Sequence, residues 1–370
     1  MKIDMETLYP NLILDALRNV RYPGNGKNIV ELGMVADDIR IDGNKVSFTL
    51  EFERPTDPFM KSLVKAAEAS LHTYISPEIE ATITPAAKHI APQPSERPLA
   101  GVKNIIGISS GKGGVGKSTV ACNLAVALAR EGYKVGLLDA DIFGPSMPKM
   151  FGVEDEKLYM HHVDGKEKII PAHKYGVKLL SIGFLVDKDS AVLWRGGMAS
   201  NALKQLISDG DWGELDYFLI DMPPGTSDIH LTLVQTLDIT GTVIVTTPQD
   251  VALADARKGI SMFTGKQVNV PILGLVENMA WFTPEEHPDE RYYIFGKEGG
   301  VRLAEELGVK LLAQIPLVAS IREDADAGTP IALKDNAASH AFLHLAHEVI
   351  DAVNERNDTL PPTQHVRLSH

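Results

Sequence analysis

The sequence is poorest in cysteine, with Cys122 as the single thiol among 370 residues. Because a disulfide and a cysteine-pair metal site both need two thiols, one copy of this chain can form neither. No run approaches the roughly 20 apolar residues that a membrane span needs. The first eleven residues carry charges and a proline where a signal peptide needs an apolar core. Together these absences predict a soluble protein of the cytoplasm.

Positive charge is also scarce, with 36 lysines and arginines against 49 aspartates and glutamates and a net charge of -13. An acidic surface of this kind repels phosphate backbones and anionic lipid, and no local basic patch offsets it. We therefore expect neither nucleic acid nor a membrane as a partner. The hydrophobic fraction of 44% is typical of a folded globular protein.

The chain is long enough for more than one hydrophobic core, and its first part, residues 1–84, reads as a small α+β domain. Helical spacing covers residues 7–19 and 59–74, and strand-like runs cover 30–41, 45–52 and 78–83. These strands predict a three-stranded sheet. Four prolines between residues 85 and 98 then predict a linker over residues 85–102.

A different pattern fills residues 103–356, which we assign to a second domain, with 357–370 as a polar tail. Short apolar runs suit strands buried on both faces of a parallel sheet, and helical segments alternate with them. The pattern predicts an α/β fold with a mostly parallel sheet and helices on both faces. The apolar runs are residues 104–108, 135–138, 217–220, 242–245, 272–276 and 311–315, and the clearest helices are 118–131, 199–208 and 337–355.

Residues 111–119 directly follow the first apolar run and fit the pattern G-x-x-x-x-G-K-[ST] of a P-loop. Glycines let backbone N–H groups converge on phosphate oxygens, and a helix beginning near Lys117 directs its N-terminal dipole at them. A simple glycine-rich turn would not account for the lysine and the helix. We expect Lys117 at the β- and γ-phosphates of ATP and Ser118 at Mg²⁺. The predicted ATP-binding residues here are Gly111, Lys112, Gly113, Gly114, Val115, Gly116, Lys117, Ser118 and Thr119.

Aspartates end two of the apolar runs, Asp139 and Asp141 after one and Asp221 after another. Ligands of open α/β sheets bind at the carboxyl ends of the strands, where one carboxylate can hold Mg²⁺ and another can orient water. We assign Asp221 to the metal through water and Asp141 to the attacking water. Asp139 is either a further metal carboxylate or a structural cap.

The loop contains a lysine in addition to Lys117, namely Lys112, and this residue makes the loop similar to that of a known class of ATPases. The segment GKGGVGKST resembles the deviant Walker A motif of the MinD/Mrp/ParA class of ATPases. In that class the extra lysine reaches the nucleotide of the partner subunit, which implies a nucleotide-sandwich homodimer and a catalytic role for Lys112, Lys117 and Asp141. The resemblance also implies that Asn278 and Pro316 line the adenine pocket, although a turn role for the asparagine stays open.

Four further segments narrow the resemblance to the Mrp/ApbC family over residues 103–350, namely 139–146, 221–228, 247–250 and 294–300. Members of that family are ATPases implicated in carrying iron–sulfur clusters to apoproteins. The resemblance therefore implies client apoproteins or cluster-assembly proteins as partners and a loop at 221–228 that senses the γ-phosphate. The first domain is similar to the PaaD-like domain fused ahead of many such proteins.

One departure concerns the cluster itself, because the family's Cys-x-x-Cys is absent from residues 280–293. The acidic residues in that interval supply hard oxygen ligands, which suit iron–sulfur clusters poorly and favour a solvated loop. Cys122, five residues past Lys117, reads as a small buried apolar residue. We therefore identify no cluster ligands. The interval contains Glu285, Glu286, His287, Asp289 and Glu290.

Two functions remain open at this level. The first is an ATPase that delivers iron–sulfur clusters, and the alternative is a MinD/ParA-like switch ATPase that carries no cluster. Residues 344–355 contain more acidic than basic residues, whereas the C-terminal membrane helix of MinD-like proteins is basic, and this difference disfavours a MinD-like function. A kinase or amidoligase would need an acceptor pocket, which the sequence does not indicate.

Overall fold

The computed structural model describes residues 8–23, 26–36, 38–52, 57–87, 98–163, 165–185, 196–266, 268–284, 287 and 289–363. The chain divides into two compact units, Met1–Ser95 and Glu96–His370. Most of the predicted linker, residues 88–97, and the end of the predicted tail, residues 364–370, lie outside the described residues.

The first unit packs two helices, α1 (Pro10–Leu17) and α2 (Met60–Tyr74), with a three-stranded sheet in the order β1-β2-β3. Every second residue of the central strand is buried, because alternate side chains of a strand point to opposite faces. The strands are β1 (Arg40–Asp42), β2 (Lys45–Phe52) and β3 (Glu80–Ala87), with β3 parallel and β1 antiparallel to β2.

Two of the differences from the prediction in this unit concern strands. The predicted strand 30–41 is wrong at residues 30–33, which form turns closed by local hydrogen bonds such as Leu32 N–H to the Asn28 carbonyl. Val35 forms an isolated antiparallel bridge with Leu50, and the strand β1 begins at Arg40. The Asn28 side chain also accepts from Glu31 N–H at 2.8 Å, and such local bonding competes with a sheet ladder. At the other end β3 runs to Ala87, three residues into the predicted linker, because it stays paired with β2 up to Phe52.

The second unit is built on an eight-stranded sheet in the order β13-β12-β11-β4-β10-β5-β9-β8, parallel except where β8 meets β9. The predicted α/β fold class is confirmed. All six predicted strands lie within observed ones, whereas β6 to β9 were not predicted. The strands are β4 (Val102–Ser110), β5 (Val135–Asp139), β6 (Tyr159–Val163), β7 (Lys166–Ile170), β8 (Ala172–Lys174), β9 (Val177–Ser181), β10 (Leu215–Asp221), β11 (Gly241–Thr246), β12 (Ile272–Phe282) and β13 (Leu311–Leu317), with β6 and β7 forming a separate hairpin.

Helices cover both faces of this sheet and form two cores, one with α3 and α10 and the other with α5 to α8. The last helix continues to Thr359, past the predicted domain end at residue 356, and Arg356 is buried on it. Within the described part of the chain no helix is long and apolar enough to cross a bilayer. The helices are α3 (Lys117–Arg130), α4 (Met147–Met150), α5 (Gly196–Asp209), α6 (Asp228–Thr236), α7 (Asp250–Thr264), α8 (Gly299–Leu307), α9 (Ala319–Asp326) and α10 (Ala337–Thr359).

The sheet order sets the location of the site. After β4 the chain crosses to β5 on one side, and after β10 it crosses back over β4 to β11 on the other side. Connections that leave in opposite directions open a crevice at the carboxyl end of β4, where ligands of such sheets bind. The P-loop segment lies at this point.

Candidate nucleotide site

The loop between β4 and α3 has the backbone geometry that phosphate binding needs. Gly114 and Gly116 both have φ of +80°, and Gly116 directly precedes the first residue of α3. The loop is braced from outside, because the Asn278 side chain donates to the Val115 carbonyl at 2.8 Å. The helix N-terminus and its free N–H groups therefore face the crevice, as an anion-binding site requires.

Gly116 meets two requirements that only glycine satisfies. Its positive φ strains any residue with a side chain, and a Cβ there would lie 2.2 Å from Nδ2 of Asn278. Gly114 has the same φ, but a Cβ there would have no heavy atom within 4 Å. The pair therefore separates the conformational requirement from the contact requirement.

We expect Gly116→Ala to lower the melting temperature of the nucleotide-free protein by about 4–8 °C, since φ strain and the clash each cost on the order of 1–2 kcal/mol. The matched control is Gly114→Ala, which incurs only the φ cost and should lose about half as much. Differential scanning calorimetry of both variants measures the difference. Equal losses would mean that the contact with Asn278 contributes nothing to the loop.

Side chains from three separate segments of the sequence meet behind the loop, namely Lys117 with Ser118, Asp141, and Asp221. The Lys117 ammonium lies 2.6 Å from Oδ1 of Asp221 and 3.4 Å from Oδ2 of Asp141. The Ser118 hydroxyl donates to Oδ2 of Asp221 at 2.6 Å. Since β10 pairs with both β4 and β5, its last residue, Asp221, is aligned with Ile108 and with Asp139. The structure thus brings the predicted lysine, hydroxyl and carboxylates into one cluster.

The cluster is buried and has an excess of negative charge. Lys117 is 6% exposed and Asp221 is fully buried. Burial raises the pKa of Asp221, and Asp141 raises it further, while Lys117 and the Ser118 hydrogen bond lower it. The pKa of Asp139 is raised by its burial first and by Asp221 second. Carboxylates that repel one another in a dry site favour the binding of a cation between them.

Asp139 is held by the protein through both oxygens. Its Oδ1 accepts from Asp141 N–H at 3.2 Å, and its Oδ2 accepts from Met147 N–H at 3.1 Å and the Ser181 hydroxyl at 2.9 Å. These bonds pin the loop that follows β5. Of the two alternatives for this residue they favour the structural cap over a direct metal contact.

Asp141 accepts fewer hydrogen bonds from the protein than Asp139 does. Its Oδ1 accepts from Phe143 N–H at 3.2 Å, and its Oδ2 faces the Lys117 ammonium. Its side chain is 12% exposed, against complete burial for Asp221. An oxygen that points to Lys117, the lysine predicted at the phosphates, and that is not fixed by a backbone N–H is suited to orient water.

The donor set fits a magnesium ion. Mg²⁺ prefers oxygen ligands and keeps several waters, so one hydroxyl and one or two carboxylates are the usual protein contribution. Ser118 and Asp221 offer such oxygens side by side, and the excess negative charge of the cluster calls for a cation. The metal role of Asp221 and Asp139 stays a prediction.

The residues predicted at the adenine base lie on neighbouring strands, although β12 continues past Asn278 to Phe282 instead of ending there. Asn278 pairs with Ile315 across β12 and β13, directly before Pro316. The backbone turns sharply after Asn278, because Met279 has a φ of +54°. Pro316 lines a groove of about 600 Å³ together with aromatic and apolar side chains, including Trp281 and Phe282. The observed partner of the Asn278 amide is the phosphate loop, and its contact with adenine stays a prediction.

Lys112 and Thr119 differ in placement. Lys112 is exposed at the front of the loop, and its backbone carbonyl accepts from the Ser110 hydroxyl at 3.0 Å. Thr119 is half-buried, and its carbonyl accepts from Asn123 at 2.9 Å. Lys112 can therefore extend away from its own subunit, and its reach to a partner's nucleotide stays a prediction.

Two residues near the ends of the interval that lacks the family's cysteines pair with each other. Phe282 and Tyr292 exchange two backbone hydrogen bonds of 2.8 and 2.9 Å, and the Arg291 guanidinium lies 4.2 Å from the ring centre of Trp281. Glu285 and Glu286 lie outside the described residues, whereas the neighbouring His287, Asp289 and Glu290 are exposed.

Cys122 is not placed to bind a cluster. It is 1% exposed within the core on α3, and burial raises the pKa of its thiol, which keeps it protonated. Among the residues that the structure describes, no three His, Cys, Asp or Glu side chains are grouped to hold a metal ion.

Sequence reasoning missed three residues that shape the site. Ser181 holds Asp139, and His230 contacts the loop after Asp221. Glu277, fully buried, accepts from Gly300 N–H at 3.0 Å and from Gln314 at 2.5 Å, which joins β12 to α8 and β13. A charged residue inside an apolar run could have marked Glu277, since buried charges are retained only with partners.

The sequence matches two family models, NUBPL iron-transfer P-loop NTPase over residues 101–350 and iron-sulfur cluster assembly protein over residues 11–82. An iron-sulfur cluster carrier protein from Synechocystis is 43% identical over 94% of this chain and 98% of its own. One from Haemophilus influenzae is 51% identical over 71% and 70%. A solved nucleotide-binding protein from Archaeoglobus fulgidus, in complex with ADP, is 37% identical with a TM-score of 0.57 and covers 65% of this chain and 92% of its own.

Proposed function

Because the chain belongs to the family of NUBPL-type iron-transfer P-loop NTPases, we propose that it is an ATPase that delivers iron–sulfur clusters to apoproteins. The family match confirms the resemblance that the motifs indicated. The observation that carries the ATPase part is the buried cluster in which Lys117 and Ser118 of the P-loop contact Asp221. Relatives named iron-sulfur cluster carrier proteins support the delivery part.

In the proposed reaction the P-loop N–H groups and the Lys117 ammonium bind the β- and γ-phosphates. Lys117 must then exchange part of its contact with Asp221 for phosphate oxygens. Asp141 orients a water in line with the γ-phosphate and accepts its proton, because its Oδ2 already faces Lys117. Mg²⁺ held by Ser118 and Asp221 would neutralise charge that develops on the phosphate oxygens.

The loop after Asp221 is suited to report the state of the nucleotide. Its Gly225 N–H donates to the Ser110 carbonyl at 2.9 Å, so it lies directly on the phosphate loop. Loss of the γ-phosphate would change these contacts and alter affinity for a partner. We further propose a homodimer that closes over two nucleotides, with the exposed Lys112 reaching across.

The single buried cysteine limits how this chain handles its cargo. A cluster has to be bound by thiolates that are accessible and deprotonated, and Cys122 is neither. We propose that ligands for the cluster come at least partly from the donor or the acceptor protein. The same observation supports a second candidate, a switch ATPase that controls partner binding and carries no cluster.

A cluster-transfer assay under anaerobic conditions distinguishes the two candidate functions. We expect little stable iron and sulfide on the chain after reconstitution, with no change in Cys122→Ala. We also expect faster transfer from a cluster-loaded scaffold to an apo-ferredoxin when ATP is present. The control is Asp141→Asn, which should keep ATP bound but lose the acceleration. Intact ATP hydrolysis without any effect on transfer would favour the switch ATPase.

A further inference from the structure

His230 is a buried titratable side chain that the proposed reaction does not use. It lies in the first turn of α6 and is 1% exposed. Its Nδ1 accepts from the backbone N–H of Ser227 at 3.1 Å and is 3.2 Å from the Ser227 hydroxyl. Histidine thus takes the position of a capping box where Glu or Gln usually bonds back to the N-cap residue.

These contacts define the state of the ring. Since a backbone N–H donates to Nδ1, that nitrogen carries no proton and Nε2 bears it. The pKa of His230 is lowered to about 4, first by burial and also by Lys117, while the Pro223 carbonyl and Asp141 act in the opposite direction. The imidazole is therefore neutral near pH 7 and is within electrostatic reach of the residues proposed to bind and hydrolyse ATP.

The second ring nitrogen is unusual because it is buried without a hydrogen-bond partner among the described residues. The Pro223 carbonyl lies close enough to the ring to raise its pKa. Buried donors are nearly always paired, so an unpaired one marks a place where the structure can gain a bond by moving. Pro223 and Ser227 are the two ends of the segment that joins Asp221 to α6.

That segment, residues 223–227, packs on the phosphate loop. Its middle residue Gly225 donates to the Ser110 carbonyl at 2.9 Å, and a Cβ on Gly113 would lie 3.9 Å from the Pro224 ring. The His230 imidazole therefore bonds Ser227 at the end of the segment and lies near Pro223 at its start.

We propose that His230 is a positioning residue that holds residues 223–227 against the phosphate loop in the conformation that hydrolysis requires. The bond from Ser227 N–H to Nδ1 fixes the segment to α6, and the free Nε2–H is available to the Pro223 carbonyl when the segment moves. This inference rests on the proposed ATPase function. It adds a residue that contacts neither phosphate nor metal.

The test compares His230→Ala with His230→Gln in the full chain. We expect His230→Ala to lower kcat about 10-fold with the KM for ATP within about twofold, because the segment is displaced while the phosphate loop is intact. Glutamine can accept from Ser227 N–H as capping boxes usually do, so His230→Gln should restore most of kcat. The matched control is Thr232→Val on the same helix, which removes the hydrogen bonds of the Thr232 hydroxyl to the Asp228 carbonyl and to the Ser200 hydroxyl, both 3.0 Å.

Amide hydrogen exchange on the nucleotide-free protein gives a readout that does not depend on hydrolysis. Pro223 and Pro224 have no amide hydrogen, so the readout is the exchange of Gly225, Thr226 and Ser227. These three amides should exchange faster in His230→Ala and return toward wild type in His230→Gln, with little change in Thr232→Val. Equal kcat losses in the alanine and valine variants, or unchanged exchange in His230→Ala, would overturn the proposal. A wild-type protein without turnover would refute the ATPase function, while the exchange data would still decide whether His230 holds the segment.

Discussion

Replacing Lys117 with glutamine is expected to weaken ATP binding by at least about 100-fold, since charge-assisted hydrogen bonds to phosphate are each worth on the order of 1.5–3 kcal/mol. Among the described residues Lys117 is the ammonium that contacts both Asp141 and Asp221. Without it those carboxylates face the phosphates with no positive side chain between them. Isothermal titration calorimetry with a non-hydrolysable ATP analogue and Mg²⁺ measures the loss.

The matched control for this experiment is Lys103→Gln. Lys103 bonds Asp216 at 2.8 Å at the start of β4, the opposite end of the strand from the phosphate loop, and its side chain is 74% exposed. Its removal should leave ATP affinity unchanged. Because Lys117→Gln leaves buried carboxylates unpaired, its melting temperature has to be measured so that binding is assayed on folded protein. Unchanged affinity in that variant would refute the role of the lysine.

Asp141→Asn is expected to lower kcat by about 1000-fold while ATP affinity stays within about threefold, because positioned acid–base groups contribute 10²–10⁴-fold to rates. Asparagine can keep the hydrogen bond from Phe143 N–H through its Oδ1. It loses the negative charge that would orient water and accept a proton. Single-turnover release of phosphate, with ATP binding measured in parallel, separates the two effects.

Asp139→Asn is the informative comparison for Asp141. If both oxygens of Asp139 serve to hold backbone donors, an NH2 group in place of Oδ1 would oppose Asp141 N–H, and one in place of Oδ2 would oppose Met147 N–H. We therefore expect a lower melting temperature in Asp139→Asn, with a smaller loss of kcat in the protein that remains folded. Normal turnover in Asp141→Asn would refute the assignment of that residue to the attacking water.

Features that depend on residues close together in the sequence were predictable. All six apolar runs of the second domain lie inside observed strands, because a strand buried on both faces of a parallel sheet has to be apolar throughout. The turns at residues 29–33 were not predictable from apolar content, since Asn28 and the local carbonyls satisfy the backbone there. The short strands β6 to β8 were missed because they are brief and partly exposed. β9 is buried at four of its five positions, but its five residues are too short a run to stand out from the sequence pattern.

The sequence by itself determined the P-loop, because its strand, glycines, lysine and helix are contiguous and each acts through local backbone geometry. Only the tertiary structure decided which carboxylates contact Lys117 and which one is held by backbone N–H groups. Asp221 lies 104 residues from Lys117 and is brought to it by the register of β10 with β4 and β5. Ser181 and His230 likewise became part of the site only through packing, since pairing between distant strands and helices leaves no local pattern in the chain.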